Sequence, residues 1–268
     1  MVRCRLPYRV DISRAPGDAL DVLVELGALD VEATDNGIAA ILPDGVLPET
    51  IAVALGVPSV RVSAVKGRDN GSVWLLRPQV IRIGRLQIAI AEAGSPLSAL
   101  HLIDSHAFGT GHHPTTALCI EAIEEILAVE RVDSVLDVGT GSGILALAAL
   151  TLGIARAVGL DIDAEALKVA EENARLNQLK NRLELILGGP EAARGNWPLI
   201  VANVLAAPLI EMAPTLVRRL ASRGRLVLSG IPQSLESEVR RAYQHFGIRG
   251  FQSKVRAGWA VVTAEAAW

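Results

Sequence analysis

The second part of the chain, from residue 102 onward, alternates short hydrophobic runs with amphipathic stretches. The runs predict strands at residues 134–138, 157–161, 183–187, 199–202, 225–229, 247–253 and 259–263. Helices fit between them; in one such stretch Leu167, Ala170 and Ala174 fall on a single helical face. This alternation predicts an α/β fold with a mostly parallel, doubly wound sheet. Ligands of such sheets bind at the carboxyl ends of the strands, near the point where the strand order reverses.

The first 66 residues contain shorter elements in a different order. Asp35-Asn36-Gly37 is a hairpin-turn signal between two strand-like pieces. Helical segments are predicted at residues 17–26 and 48–55, and extended segments at 5–12, 28–33, 37–42 and 59–65. The resulting order, βαββαβ, predicts a small α+β domain of the ferredoxin-like type.

A polar, glycine-bearing stretch at residues 66–72 separates the two parts of the chain. After it, residues 80–90 alternate apolar and polar side chains about Gly84-Arg85, which predicts a hairpin. We therefore expect three regions, which are a domain at residues 1–66, a linker with a hairpin at 67–101 and a larger domain at 102–268.

Composition narrows the classes of function. Half of the residues are hydrophobic and the net charge is −3, which fits a large buried core and argues against a surface that follows nucleic-acid phosphates. Cys4 and Cys119 lack metal-ligand spacing and predict reduced thiols. Residues 138–155 are uncharged, but their four glycines favour a buried loop and helix over a membrane span. Because the N-terminus also lacks a signal-peptide stretch, we expect a cytoplasmic protein without a membrane partner.

The strongest local signal is a glycine loop, Gly139-Thr140-Gly141-Ser142-Gly143, which follows a strand ending in Asp137-Val138 and opens a helix. Glycines let the backbone approach a ligand closely, and the helix N-terminus offers unpaired N–H groups. A tight turn without a ligand is the alternative. Ile144 stands where the dinucleotide-binding fingerprint would require its third glycine, and no Gly-Lys-Ser/Thr follows, which excludes a phosphate-binding P-loop.

Two strand ends carry polar side chains that suit a ligand. Asp161 ends the strand after the glycine loop, where an acidic residue can accept hydrogen bonds from ribose hydroxyls; a plain capping role is the alternative. Asp163 is the expected cap of the following helix. Asn203 follows a hydrophobic strand, and its carbonyl either holds a substrate amine or simply caps the strand.

A second glycine turn reads Ala-Phe-Gly-Thr-Gly-His-His-Pro-Thr-Thr at residues 107–116. Pro114 suits the first position of a helix, so that the hydroxyl of Thr116 and free N–H groups of the first turn can bind the carboxylate of an amino-acid-like ligand. Adjacent histidines cannot easily bind one ion and no third ligand is near, so we expect no metal. His113 is predicted to be a helix cap or a surface residue.

Together, Leu-Asp-Val before the Gly-Thr-Gly-Ser-Gly loop, Gly-Leu-Asp-Ile-Asp, Val-Ala-Asn and the second glycine turn resemble the methyltransferases that modify ribosomal protein L11 (the PrmA family). The resemblance implies a class I, Rossmann-like methyltransferase sheet of seven strands with the last one antiparallel, and a small N-terminal domain that recognises the ribosomal protein. It also implies that S-adenosylmethionine is the cofactor and S-adenosylhomocysteine the product. The expected cofactor contacts are Phe108, Gly109, Thr110, Gly111, Thr116, Asp137, Gly139, Gly141, Gly143, Asp161 and Asn203.

The expected reaction methylates lysine or N-terminal amines of ribosomal protein L11 by in-line attack on the cofactor. Asn203 and backbone carbonyls would orient a neutral amine beneath Phe108, and water or His112 would take the proton. The chain would act as a monomer on this protein substrate, without direct nucleic-acid contact.

Several alternatives share parts of this pattern. A related family methylates lysines of the electron-transfer flavoprotein β subunit, and a small-molecule amine would need the same chemistry. A nicotinamide oxidoreductase is disfavoured by the missing third glycine, and a cofactor-binding protein without catalysis is disfavoured by the intact second glycine turn.

Overall fold

A computed structural model describes residues 6–65, 67, 73, 74, 76, 80–91, 96, 98–105 and 107–268. The chain divides into two compact units, Met1–Pro78 and Gln79–Trp268. Most of the polar stretch at residues 66–72 lies outside the described residues, as does Cys4. The hairpin that we assigned to the linker lies in the second unit, because the division falls before it.

The first unit is a four-stranded antiparallel sheet with two helices. Its elements are β1 (Tyr8–Ser13), α1 (Ala19–Glu25), β2 (Asp30–Thr34), β3 (Gly37–Leu42), α2 (Pro48–Ala54) and β4 (Arg61–Ala64). The strand order β2-β3-β1-β4 confirms the predicted ferredoxin-like arrangement. β2 begins at Asp30, later than predicted, because the Ala28 N–H donates to the Leu23 carbonyl and closes the end of α1.

The second unit contains a seven-stranded sheet. Its strands are β8 (Ser134–Val138), β9 (Arg156–Asp161), β10 (Leu183–Leu187), β11 (Trp197–Asn203), β12 (Leu220–Pro232), β13 (Ile248–Arg256) and β14 (Trp259–Ala266). The order is β10-β9-β8-β11-β12-β14-β13, and β14 is antiparallel to both of its neighbours. The predicted sheet with an antiparallel last strand is therefore confirmed. β12 starts before the predicted residue 225, because it follows the preceding helix directly and Leu220 already pairs with Trp197.

Helices cover both faces of this sheet: α3 (Pro114–Val129), α4 (Ile144–Thr151), α5 (Ala164–Leu176), α6 (Ala206–Arg219) and α7 (Glu236–Gln244). Successive strand residues point to opposite faces. Val201 belongs to a buried cluster that includes residues of α3 and α4, whereas Ile200 belongs to one that includes residues of α6 and α7. Because both faces are buried, the strands read as continuous hydrophobic runs.

A smaller sheet contains β5 (Ile81–Ile83), β6 (Leu86–Ile90) and β7 (Leu100–Leu102). β5 and β6 form the predicted hairpin, and β7 pairs with β6 in parallel. Ile88 and Leu102 are buried in the same cluster as α3 and α4. The sequence did not predict β7, because three residues paired in parallel across a connection carry no turn signal.

The uncharged stretch at residues 138–155 forms the glycine loop and α4, whose residues 144–150 are buried within the protein. Among the described residues, no helix has the length and apolar character needed to cross a membrane.

Candidate active site

Three neighbouring strands of the large sheet end side by side. Val138 pairs with Leu160 on one side and with Ala202 on the other. The residues that follow these three, Gly139, Asp161 and Asn203, therefore form a row at the carboxyl edge. With strands about 4.8 Å apart, the ends of β9 and β11 are separated by about 10 Å. The strand order reverses between β8 and β11, which is where ligands bind in sheets of this kind.

The first glycine loop requires left-handed backbone conformations at all three of its glycines. Gly139, Gly141 and Gly143 have φ values of 71°, 55° and 81°. The N–H groups of Gly139 and Thr140 both donate to the Leu160 carbonyl at 2.8 Å, which fastens the loop to the end of β9. Only glycine adopts such conformations without strain, so the residue types follow from the shape of the loop.

Asp161 is tied to this loop by one carboxylate oxygen and to the start of α5 by the other. Oδ2 accepts a hydrogen bond from the Gly141 N–H at 2.8 Å, and Oδ1 accepts one from the Asp163 N–H at 3.0 Å. Each carboxylate oxygen has further acceptor capacity, so these bonds orient the group without exhausting it. Asp163 caps α5, as predicted, by accepting from the Glu165 N–H at 2.9 Å.

The second glycine turn is interlocked with the first through Ser142. The Ser142 N–H donates to the Phe108 carbonyl at 3.0 Å, and its Oγ donates to the Gly109 carbonyl at 2.6 Å. A Cβ atom on Gly141 would lie 2.7 Å from the Phe108 carbonyl oxygen, and one on Gly109 would lie 2.7 Å from the Ser142 Oγ. The two turns therefore approach each other more closely than side chains would permit.

Gly111 faces the small sheet. A Cβ atom there would lie 2.7 Å from Cδ1 of Ile81, and it would also contact Ile144 and Ile88. Since Ile144 packs beneath both Gly109 and Gly111, the position where a dinucleotide fingerprint would carry glycine is filled by a branched side chain.

The two adjacent histidines have different environments. His113 caps α3, as predicted, by accepting from the Thr115 N–H, and its buried ring lies edge-on to Phe108 and Trp259 at centroid distances of 5.5 and 5.2 Å. His112 is half-buried, and its Nδ1 lies 3.2 Å from the Oγ1 of Thr110. His112 therefore stays with the glycine turn, whereas His113 fixes the start of the helix.

Buried polar atoms in this region that have no hydrogen-bond partner among the described residues include Thr116 Oγ1, Asp137 Oδ1 and Asn203 Oδ1. Their residues are 0%, 1% and 9% exposed. Buried polar atoms in native proteins almost always have partners, so unsatisfied ones near a switch point fit a polar ligand.

Burial raises the pKa of Asp137 from its ordinary value of 3.8 to about 6. Its Oδ2 accepts from Thr140 Oγ1 at 2.7 Å and from the Ala146 N–H at 3.1 Å, and these bonds lower the pKa, whereas the charge of Asp161 raises it. Burial outweighs the two hydrogen bonds. This carboxyl is therefore held against the start of α4 at a cost in free energy.

Direct contacts thus join Phe108, Gly109, Gly141 and Asp161, and strand register adds Gly139 and Asn203 to the same edge. In the part of the chain that the structure describes, no hydrogen bond links the side chain of Thr116 to this group. Sequence reasoning missed Asn173, a fully buried amide on α5 that contacts the glycine loop. Its signal was a polar residue between Ala170 and Ala174 on the apolar helix face.

Residues 52–267 match the model of a family described as ribosomal protein L11 methyltransferase (PrmA). The protein of that name from Pelobacter propionicus is 41% identical over 197 residues, which cover 70% of this chain and 64% of the relative. The one from Chromohalobacter salexigens is 41% identical over 215 residues, covering 78% and 71%. The crystal structure of a ribosomal protein L11 methylase from Lactobacillus delbrueckii subsp. bulgaricus has a TM-score of 0.63 at 32% identity, and covers 69% of this chain and 97% of that one. The chain thus spans less than two thirds of the Pelobacter relative.

Proposed function

Since the chain belongs to the ribosomal protein L11 methyltransferase (PrmA) family, we propose that it transfers methyl groups from S-adenosylmethionine to amines of that ribosomal protein. The observation that carries the proposal is the pair of interlocked glycine turns beside Asp161 and Asn203 at the switch point of the sheet. We assign the first unit to recognition of the protein substrate, in line with the resemblance of the sequence to this family.

The residues at the switch point fit this cofactor chemically. Asp161 would accept hydrogen bonds from the ribose hydroxyls, and the glycines of residues 139–143 give the loop its left-handed backbone beside that carboxylate. Thr116, in the first turn of α3, has a buried hydroxyl and suits the carboxylate of the methionine part. When bound, S-adenosylmethionine supplies a methyl group on a positively charged sulfur, which is the electrophile.

The protein must present the substrate amine in its neutral form. A lysine amine has an ordinary pKa near 10.4, so its neutral form at pH 7 costs roughly 4 to 5 kcal/mol. Transfer into an apolar site beneath Phe108 would lower that cost. We assign to the Asn203 Oδ1, which has no hydrogen-bond partner among the described residues, the role of accepting an amine N–H and orienting the nitrogen lone pair.

His112 is the side chain that we assign to proton removal, either directly or through water. The His112 Nδ1 lies 3.2 Å from the Thr110 Oγ1, which orients the ring, and a neutral imidazole can act as a general base toward the amine. The half-buried ring belongs to the same turn as Phe108.

The experiment that tests the proposal is intact-mass analysis of purified ribosomal protein L11 after incubation with the protein and S-adenosylmethionine. We expect mass gains of one or more methyl groups on L11 and none on the electron-transfer flavoprotein β subunit run in parallel. Methylation of the flavoprotein alone would mean that the flavoprotein, and not L11, is the substrate. If neither protein gained mass although the cofactor binds, the protein-methyltransferase function would be contradicted.

Asn203→Ala separates orientation from cofactor binding in the same assay. We expect kcat to fall roughly a hundredfold, because the amine loses its orienting acceptor, while the Kd of S-adenosylhomocysteine changes less. Asn196→Ala is the matched control, because Asn196 lies just before the other end of β11 and donates to the Leu220 carbonyl. Full turnover by the Asn203 variant with unchanged cofactor affinity would refute the assigned role.

A further inference from the structure

Two amides, one on α5 and one at its C-terminal cap, bond to the open edge of β7. Among the strands of the described residues, only β6 pairs with β7. On its other side, Asn177 Oδ1 accepts from the His101 N–H at 2.8 Å and Asn177 Nδ2 donates to the His101 carbonyl at 2.6 Å. Two residues further along, the Ile103 N–H donates to Asn173 Oδ1 at 2.8 Å. The helix thus supplies through side chains what a neighbouring strand would supply through its backbone.

Asn173 differs from Asn177 in its second bond. Its Nδ2 donates to the Ser142 carbonyl at 2.8 Å, whereas the Nδ2 of Asn177 bonds to the His101 and Asn173 carbonyls. Asn173 is fully buried, so both of its bonds form away from solvent. One amide therefore connects the segment that leads into the second glycine turn with the first glycine loop.

Ser142 carries this connection onward. Its N–H and Oγ bond to the Phe108 and Gly109 carbonyls, so all three polar groups of Ser142 are engaged. α5 also contacts the loop directly, because a Cβ atom on Gly143 would lie 3.1 Å from the Cβ of Ala170. The two turns, the entry to the second turn and α5 therefore form one hydrogen-bonded unit.

We propose that Asn173 is a positioning residue for the cofactor site, which holds the two glycine turns at the separation that binding requires. Both turns are built on left-handed glycines, whose backbone has many alternative conformations when it is not held. An amide that bonds to both sides orders the turns before the ligand arrives, so the cost of ordering them is not subtracted from affinity. The inference rests on the proposed function for the identity of the ligand.

Asn173→Asp tests the inference because it changes the hydrogen-bonding groups of the side chain and leaves its size and shape almost unchanged. An ionised carboxylate still accepts from the Ile103 N–H but cannot donate to the Ser142 carbonyl. Asn177→Asp is the matched control, because it makes the same chemical change at the C-terminal cap of the same helix, in bonds that do not reach the glycine loop. We expect the Kd of S-adenosylhomocysteine, measured by calorimetry on the full chain, to rise about tenfold for Asn173→Asp and less than about twofold for Asn177→Asp.

Thermal unfolding separates positioning from general stability. Both variants are expected to lower the Tm, so equal losses of Tm with unchanged Kd in both would overturn the inference. Should Asn173→Asp not fold, Ser142→Ala takes its place, because it removes only the bond from Oγ to Gly109 and should raise the Kd about threefold. An unchanged Kd for that variant would count equally against the inference.

Hydrogen exchange of the ligand-free protein keeps this test independent of the proposed function. We expect Asn173→Asp to speed exchange of the Ser142 amide, which donates to Phe108, by about tenfold relative to wild type and to Asn177→Asp. Wild-type protein that binds no S-adenosylhomocysteine would contradict the proposed function alone, whereas unchanged exchange at Ser142 would contradict the coupling of the turns.

Discussion

The two ends of the parallel sheet satisfy their polar groups in different ways. At the amino edge, Arg182 donates to the carbonyls of Leu150, Ile154 and Ala155, and Arg225 pairs with Glu130 and Glu265. At the carboxyl edge and the adjoining start of α3, buried oxygens lack partners among the described residues. Polar groups at the amino edge thus stabilise the fold through hydrogen bonds and ion pairs, whereas oxygens at the carboxyl edge remain for a ligand to bind.

Trp197 shows why a single unsatisfied atom is a poor guide to a site. Its buried Nε1 has no hydrogen-bond partner among the described residues, although it lies at the amino edge. The guanidinium of Arg156 lies 5.9 Å from the centre of the ring. A left-handed glycine, Gly195, also lies two residues before it, so what distinguishes the carboxyl edge is the combination of several unsatisfied oxygens with two interlocked glycine turns.

Gly141→Ala should have the largest effect on this contrast. The new Cβ would lie 2.7 Å from the Phe108 carbonyl oxygen, so the interlocked turns must move apart. We expect the affinity for S-adenosylhomocysteine to fall by about two to three orders of magnitude in calorimetry. Gly195→Ala is the control, because Gly195 also has a positive φ, of 75°, but open space around it. Equal affinities in both folded variants would mean that the loop is only a turn.

Asp137→Asn tests whether the carboxyl edge lowers stability. The folded pKa of Asp137 is raised to about 6, so its stabilising contribution is present below pH 3.8 and is lost as the pH rises through about 6. The unfolding free energy of the variant minus that of wild type should increase by on the order of 3 kcal/mol as the pH rises from 4 to 7. Urea unfolding at several pH values measures it, and a difference independent of pH would refute the assignment.

Thr116→Val should have the smallest effect of the three substitutions, and it separates cofactor affinity from stability most clearly. Removing a hydroxyl that has no hydrogen-bond partner among the described residues should leave the Tm unchanged or raised, while cofactor affinity falls roughly tenfold. Arg182→Ala, at the amino edge, should do the reverse, lowering the unfolding free energy by about 1 to 2 kcal/mol with unchanged affinity. Parallel losses of affinity in both variants would remove the distinction.

The sequence predicted the large sheet well because its strands leave periodic traces. Residues 134–138 and 183–187 form strands at the predicted bounds, and the glycine loop opens a helix as expected. Such signals are local: buried strands are short apolar runs, and left-handed turns need glycine. The first glycine loop and Asp161 were accessible from sequence for the same reason.

What the sequence could not predict depends on distant backbone partners. Asn173 bonds to the backbone of Ser142 and Ile103, and neither partner leaves a mark on the helical pattern. The interlocking of the two glycine turns is equally invisible, since the Phe108 carbonyl meets Ser142 only after the chain has folded. The roles assigned to Asn203, His112 and Thr116 stay predictions.

The position of β14 in the sheet determines when the second unit can finish folding. β14 lies between β12 and β13, although it follows both in the chain. During synthesis the sheet therefore cannot close until residue 266 has left the ribosome, and until then β12 presents an unpaired edge to other nascent chains. Folding of the second unit consequently finishes only after β14 has emerged, and nascent chains that lack residues 259–266 should depend on chaperones to avoid aggregation.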